Sequence, residues 1–181
     1  MPEESSQPQF DTGAAYQLKK PYLDSSVFLA HIKQEKILCL GGKNRYEITS
    51  RIFNDAEADK FIIYTSTVTI AEVRRIKKAK KKLTEDERKT VNVLFKKYMQ
   101  HEWMYPIEVS REVAEKAQGL GATYSLTPID SIHVASAILW ECDMLLVWDK
   151  HTLLNKFPNG IIEGVRICEP YWEGLPKMIE P

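Results

Sequence analysis

Residues 22–30 read YLDSSVFLA, and their reading sets how the rest of the chain is parsed. A short apolar run ends on a carboxylate, Asp24; two serines follow, and a new apolar pattern begins. PYLD reads as a strand and SSVFLAHIK as a short helix, so Asp24 stands at a strand-to-helix junction. Two roles suit an acid there. It can cap the helix, accepting from the unpaired N–H groups of the first turn and complementing the helix dipole. It can also belong to a metal or nucleophile site at a strand end. The choice depends on whether other acids arrive at the same place.

Outward from this junction, strands and helices alternate. FIIYTS (61–66) is β-branched and aromatic, hence a strand, and TVTIAEVRRIKKAKKK (67–82) is a helix with a basic second half. Ile48, Ile52 and Ala56, with Phe53 beside them, recur at helical spacing between Arg45 and Ala58. CLGGKN (39–44) is a loop with a glycine pair. Thr84 and Glu87 form a capping-box pattern for a helix reaching about Met99. WMYPIEV (103–109) contains Pro106, which admits at most a short edge strand. Val109, Val113, Ala117 and Leu120 mark a helix expected to stop near Gly119–Gly121. Thr127-Pro128 opens the next, with Thr as cap and Pro at the first helical position. MLLVWD (144–149) is a buried strand, KHTLLNKF (150–157) a short helix and GVRIC (164–168) a final strand. This alternation implies an α/β fold with a mostly parallel sheet. One domain is expected over residues 19–168, between a flexible tail at 1–18 and an irregular one at 169–181.

Composition excludes more than it selects. The 181 residues hold 25 Lys+Arg and 25 Asp+Glu, so global charge carries no signal for a polyanionic partner and only local clusters can. Cys39, Cys142 and Cys168 lack C-x-x-C spacing, which fits neither a zinc site nor a disulfide framework and agrees with a reducing cytosol. Residues 1–18 lack the basic and apolar regions of a secretory signal. The most apolar stretch, Ile132–Trp148, is broken by His133, Glu141 and Asp143 and is too polar to span a bilayer. A soluble cytoplasmic protein is expected.

Four acids fall at one edge of such a sheet. Asp24 and Asp149 end strands. Glu72 and Asp130 lie in the first turns of helices that follow strands or open at the same side, and sites in parallel sheets form at that carboxyl edge. Each has a plainer role: Asp24 and Asp149 as caps, Asp130 in a capping box with Thr127, Glu72 as a solvated helix residue. Capping, however, gives no reason for convergence. Two carboxylates ~4 Å apart repel by roughly 4 kcal/mol at an effective dielectric of 20. A hard divalent cation removes that penalty, and an oxygen-only donor set suits Mg²⁺ or Mn²⁺. Such an ion activates water and stabilises charge on a phosphodiester.

At these residues the chain resembles the PIN-domain nucleases, including VapC-type toxins. The matching blocks are YLDSSVFLA (22–30), TSTVTIAEVRR (65–75), TPIDSIHVASA (127–137) and LLVWDKHTL (145–153). The resemblance implies a three-layer α/β/α fold, a Mg²⁺- or Mn²⁺-dependent endoribonuclease, and usually a homodimer. It carries the family's acidic quartet onto Asp24, Glu72, Asp130 and Asp149, and an assisting hydroxyl onto Ser25. The Cys39–Asn44 loop and both tails look longer than in the compact toxins. That leaves open a toxin with an antitoxin partner, an RNA-processing enzyme or a stand-alone nuclease. A non-catalytic PIN-like RNA- or protein-binding module and a DNA-directed, flap-type nuclease are the competing readings.

His133 reads as a satisfied core histidine rather than a ligand, and Asp143 as a turn residue at the opposite end of its strand from Asp149. RRIKKAKKK (74–82) has seven basic residues in nine. Two or three lysines complement a helix C-terminus, but seven create a field able to attract a polyanion. Arg74, Arg75, Lys77, Lys78, Lys81 and Lys82 are therefore candidate RNA-backbone contacts. A haloacid-dehalogenase-type phosphatase is disfavoured because Ser26 stands where its second aspartate is needed.

Overall fold

The computed structural model describes residues 20–39, 42–73, 84–148, 153–157 and 160–170, apart from the side chain of Glu87. The expected tails therefore lie outside the described residues, save Glu169 and Pro170. The strands are β1 (Pro21–Leu23), β2 (Ile63–Ser66), β3 (Met104–Ile107), β4 (Met144–Leu146), β5 (Ile161–Ile162) and β6 (Val165–Cys168). The helices are α1 (Ser25–Ile32), α2 (Arg45–Glu57), α3 (Val68–Val73), α4 (Glu85–Tyr98), α5 (Arg111–Tyr124) and α6 (Pro128–Leu139).

The six strands form one sheet in the order β3-β2-β1-β4-β6-β5, parallel except for the β5–β6 pair. Alternation along the strands gives the sheet two buried faces. Tyr22, Ile107, Leu145 and Ile167 join Val113, Ala117, Leu120 and Val134 of α5 and α6 in one core. Leu23, Ile63, Met104, Met144 and Leu146 join Val27, Phe28, Ile52 and Phe95 of α1, α2 and α4 in the other. The architecture is thus the expected three-layer α/β/α. Among the described residues no helix is long and apolar enough to cross a membrane.

The local signals mostly hold. Thr127 caps α6, accepting from the Asp130 N–H, with Pro128 at its start. Pro106 sits in β3, which is an edge strand. An unforeseen capping box starts α2: the Asn44 side chain accepts from Glu47 N–H while the Glu47 carboxylate accepts from Asn44 N–H, both at 3.0 Å. The short β5 was also not anticipated. It returns to β6 through Glu163 (φ 43°) and Gly164 (φ 86°), a two-residue turn with both φ positive.

One helix end is corrected. Instead of stopping near Gly119–Gly121, α5 continues to Tyr124 and closes at Ser125 in the left-handed region (φ 53°). Packing overrides propensity here. A Cβ on Gly121 would lie 3.0 Å from Ser131 Oγ of α6, whereas one on Gly119 would meet nothing within 4 Å. Gly121 thus permits close approach of the two helices and Gly119 does not. Gly119→Ala is expected to raise stability by about 0.5–1 kcal/mol through helix propensity, and Gly121→Ala to give clearly less or to destabilise. Urea denaturation of both variants checks this, and equal gains would contradict the packing argument.

Candidate functional site

Asp24 combines the two roles its position allowed. Its N–H donates to Leu146 C=O at 3.1 Å, extending the β1–β4 ladder by one residue. Its backbone then adopts the extended cap conformation, and Oδ1 accepts from the Ser26 N–H at 2.7 Å and from the Ser26 hydroxyl. The same hydroxyl accepts from the Trp148 N–H at 2.9 Å. One serine therefore links the acid that ends β1 to the chain leaving β4. Asp24 is buried, and burial pushes its carboxyl up from 3.8 to about 6. The Glu72 charge adds to the rise; the His133 charge and the Ser26 hydrogen bonds oppose it.

Glu72 is carried by α3, whose start is locked to β1. Thr65 Oγ1 donates to Leu23 C=O at 2.8 Å and pairs with Thr69 Oγ1 at 2.9 Å, all buried. Glu72 Oε2 meets His133 Nε2 at 2.7 Å, and His133 Nδ1 meets the Tyr22 hydroxyl at 2.8 Å. His133 is fully buried. Burial alone would lower its pKa, but the Glu72 hydrogen bond and the charges of Asp24, Glu72 and Asp130 outweigh that and raise it. Asp130 sits in the first turn of α6, and its Oδ2 accepts from the Thr127 hydroxyl at 2.7 Å.

Asp24 and Glu72 thus gather electrostatically around His133, and Asp130 acts on the same imidazole from its own helix. Asp149 and the basic residues Arg74, Arg75, Lys77, Lys78, Lys81 and Lys82 lie outside the described residues. Ser25, the assisting hydroxyl implied by the resemblance, is the buried first residue of α1; the hydroxyl on the Asp24 carboxylate belongs to Ser26. Among the described residues no group of three or more His, Cys, Asp or Glu is arranged to hold a metal ion. Among the described contacts, Asp24 meets Ser26, Glu72 meets His133 and Asp130 meets Thr127. The donor chemistry nonetheless suits a hard cation. The donors are carboxylate oxygens, and neither Asp24 Oδ2 nor Glu72 Oε1 is in a hydrogen bond among the described residues.

Three residues at the site escaped sequence reading: Ser26, Tyr22 and Arg45. Arg45 starts α2, donates from Nη2 to Trp148 C=O at 3.3 Å and from Nη1 to Glu35 at 3.2 Å, and places its guanidinium 4.8 Å from the Trp148 ring centre. A sequence signal existed only for Ser26, two residues after a capping aspartate.

Comparison with known proteins identifies the family and the fold. The family model described as PIN domain matches residues 22–151. Among solved structures, a toxin–antitoxin complex from Klebsiella pneumoniae is similar with a TM-score of 0.54 at 19% identity, over 84% of this chain and 98% of that one. VapC20 of Mycobacterium tuberculosis, described as a sarcin–ricin-loop-cleaving toxin, is similar with a TM-score of 0.54 at 12% identity, over 80% and 98%. VapBC2 of Rickettsia felis, solved bound to a DNA fragment from its promoter, gives 0.51 at 15%, over 82% and 98%. At such identities these likenesses establish a shared fold. No curated protein matches the chain.

The buried Asp24 sets a pH dependence for the metal-free protein. Its folded pKa of about 6 lies above the unfolded value, so its ionised form costs the folded state. That cost is full above pH 6 and gone below about pH 4. Wild type should therefore gain on Asp24→Asn as pH falls through this window, by an amount on the order of 3 kcal/mol. Urea denaturation of both proteins at pH 4, 5, 6 and 7 in EDTA measures it. A difference independent of pH would refute the burial argument.

Proposed function

The chain belongs to the PIN-domain family, and from that premise we propose that it is a Mg²⁺- or Mn²⁺-dependent endoribonuclease. The observation that supports this best is the Glu72 carboxylate bonded at 2.7 Å to the fully buried His133, near the buried Asp24 at the carboxyl edge of a parallel sheet. Burial raises the Asp24 carboxyl and the Glu72 charge adds to the rise, a cost that a bound cation would relieve. Asp24, Glu72, Asp130 and Asp149 would hold the ion. When bound, it supplies a water nucleophile at neutral pH and screens the charge developing on the phosphodiester. The protein's own contribution is orientation: Ser26 fixes the Asp24 carboxylate against the end of β4, and His133 fixes Glu72. Ser25 is proposed as an assisting hydroxyl.

RNA is the proposed substrate, with the basic run at 74–82 gripping its backbone. Two of the similar structures are a toxin–antitoxin complex and a VapBC assembly. They support an antitoxin-type protein as partner of this chain, and a homodimer is proposed with it.

Incubation of defined RNAs with the protein in Mn²⁺, Mg²⁺ or EDTA tests the activity. Cleavage is expected with either ion and not with EDTA. Asp24→Asn, Glu72→Gln, Asp130→Asn and Asp149→Asn should each lower it on the order of 100-fold, without adding in double variants. Full activity in Asp130→Asn would disprove the assignment. RNA binding without cleavage would mark a non-catalytic module, and cleavage of DNA alone would reassign the substrate.

The basic run has its own test. Changing Lys77, Lys78, Lys81 and Lys82 to Gln should weaken RNA binding irrespective of sequence and flatten the log–log salt dependence by roughly 0.7 per lost phosphate contact. KM should rise and turnover at saturation should hold, because these groups bind ground and transition states alike. RNA affinity across a salt series measures this; parallel slopes with equal affinity would exclude the contact.

A further inference from the structure

We infer that His133 and Tyr22 are positioning residues that index the Glu72 carboxylate to the strand that ends in Asp24. The inference rests on the metal-dependent reading above.

Glu72 needs such a device. Its side chain is 25% exposed, and a glutamate held by nothing retains the rotamer freedom of a long, flexible side chain. A metal ligand left in that condition loses affinity to the cost of ordering it. The protein spends a fully buried imidazole on this one carboxylate. An ionised carboxylate only accepts, so Nε2 carries the proton in the 2.7 Å bond to Glu72 Oε2. Oε1 is left without a hydrogen bond among the described residues, while Oε2 is held.

The imidazole is itself anchored from the far side. Nδ1 and the Tyr22 hydroxyl are 2.8 Å apart, and the two rings meet edge to face at 5.7 Å. Tyr22 is fully buried in β1, two residues before Asp24, and residues two apart share a face of a strand. The chain of contacts therefore closes on itself. β1 carries Asp24 directly, and it carries Glu72 indirectly through Tyr22 and His133, although Glu72 belongs to a different element. Two acids on separate elements are referred to one rigid strand by groups that no solvent reaches. A histidine serving only the core could have been satisfied by a backbone carbonyl of its own helix layer.

Calorimetric titration of the full chain with Mn²⁺ tests the inference, alongside single-turnover RNA cleavage and thermal melting. His133→Leu removes the N–H. His133→Gln keeps an amide N–H of similar reach. Tyr22→Phe releases the imidazole without touching the acid. His133→Leu should weaken Mn²⁺ binding 10- to 100-fold, His133→Gln should recover most of it, and Tyr22→Phe should fall between. The cleavage rate at saturating RNA should fall in parallel while KM for RNA holds. A purely structural role predicts instead a lower melting temperature with unchanged Mn²⁺ affinity in the folded protein, and that result would overturn the inference. If His133→Leu does not fold, wild-type affinity and rate in Tyr22→Phe overturn it equally. Failure of the wild type itself to bind Mn²⁺ or Mg²⁺ would be a different result, since it removes the metal-dependent reading on which the inference stands.

Discussion

Strand β1 has its backbone committed on both sides, and the rest of the molecule is arranged around that fact. Tyr22 pairs with Tyr64 of β2, while Pro21, Leu23 and the residue between them pair with Met144–Leu146 of β4. All three residues of β1 are buried. A slip of one residue would exchange Tyr22 and Leu23 between the two cores and carry Asp24 away from its place. The register is pinned at the start of the strand: Lys20 N–H donates to Asp143 Oδ2 at 2.6 Å and Asp143 N–H to Lys20 C=O at 3.1 Å. Asp143 thus sits at the start of β4, where its carboxylate ties down the entry to β1.

The carboxyl edge of this sheet concentrates buried polar side chains. Asp24, Thr65, Ser66, Thr69 and His133 are all buried there. Burying such groups is unfavourable unless each finds a partner. The threonines meet each other and Leu23 C=O, Ser66 Oγ accepts from Val68 N–H, and His133 uses both ring nitrogens. Asp24 remains costly, and burial pushes it toward protonation. A site under this tension gains from any species that brings positive charge to its oxygens.

The segment between α1 and α2 is longer than a simple crossover requires, yet it is tied down. Leu38 bridges to Asn44, Asn44 caps α2, and Arg45 reaches across to Glu35 and Trp148. The guanidinium over the indole contributes on the order of 1 kcal/mol. The Trp148 peptide is consequently held at both ends, its N–H by Ser26 and its carbonyl by Arg45. It is the last described residue before Asp149.

Much of this was legible in the sequence because its cause is local. Strand composition, the Pro106 edge strand, the Thr127-Pro128 helix start and the cap at Asp24 depend on residues within one turn of each other. The layered fold follows from alternation, and so does the place of Asp24 just beyond the end of β1. What the tertiary structure alone decided depends on residues far apart in the chain. From the sequence His133 reads as a satisfied core histidine; it is buried and satisfied, but its partners are Glu72, 61 positions away, and Tyr22, 111 away. Nothing in either local sequence names the other, because the strand order sets which side chains meet. Gly121 shows the same limit. In isolation it reads as a helix stop, and only the face of α6 lying against it turns the missing side chain into a reason for the helix to continue.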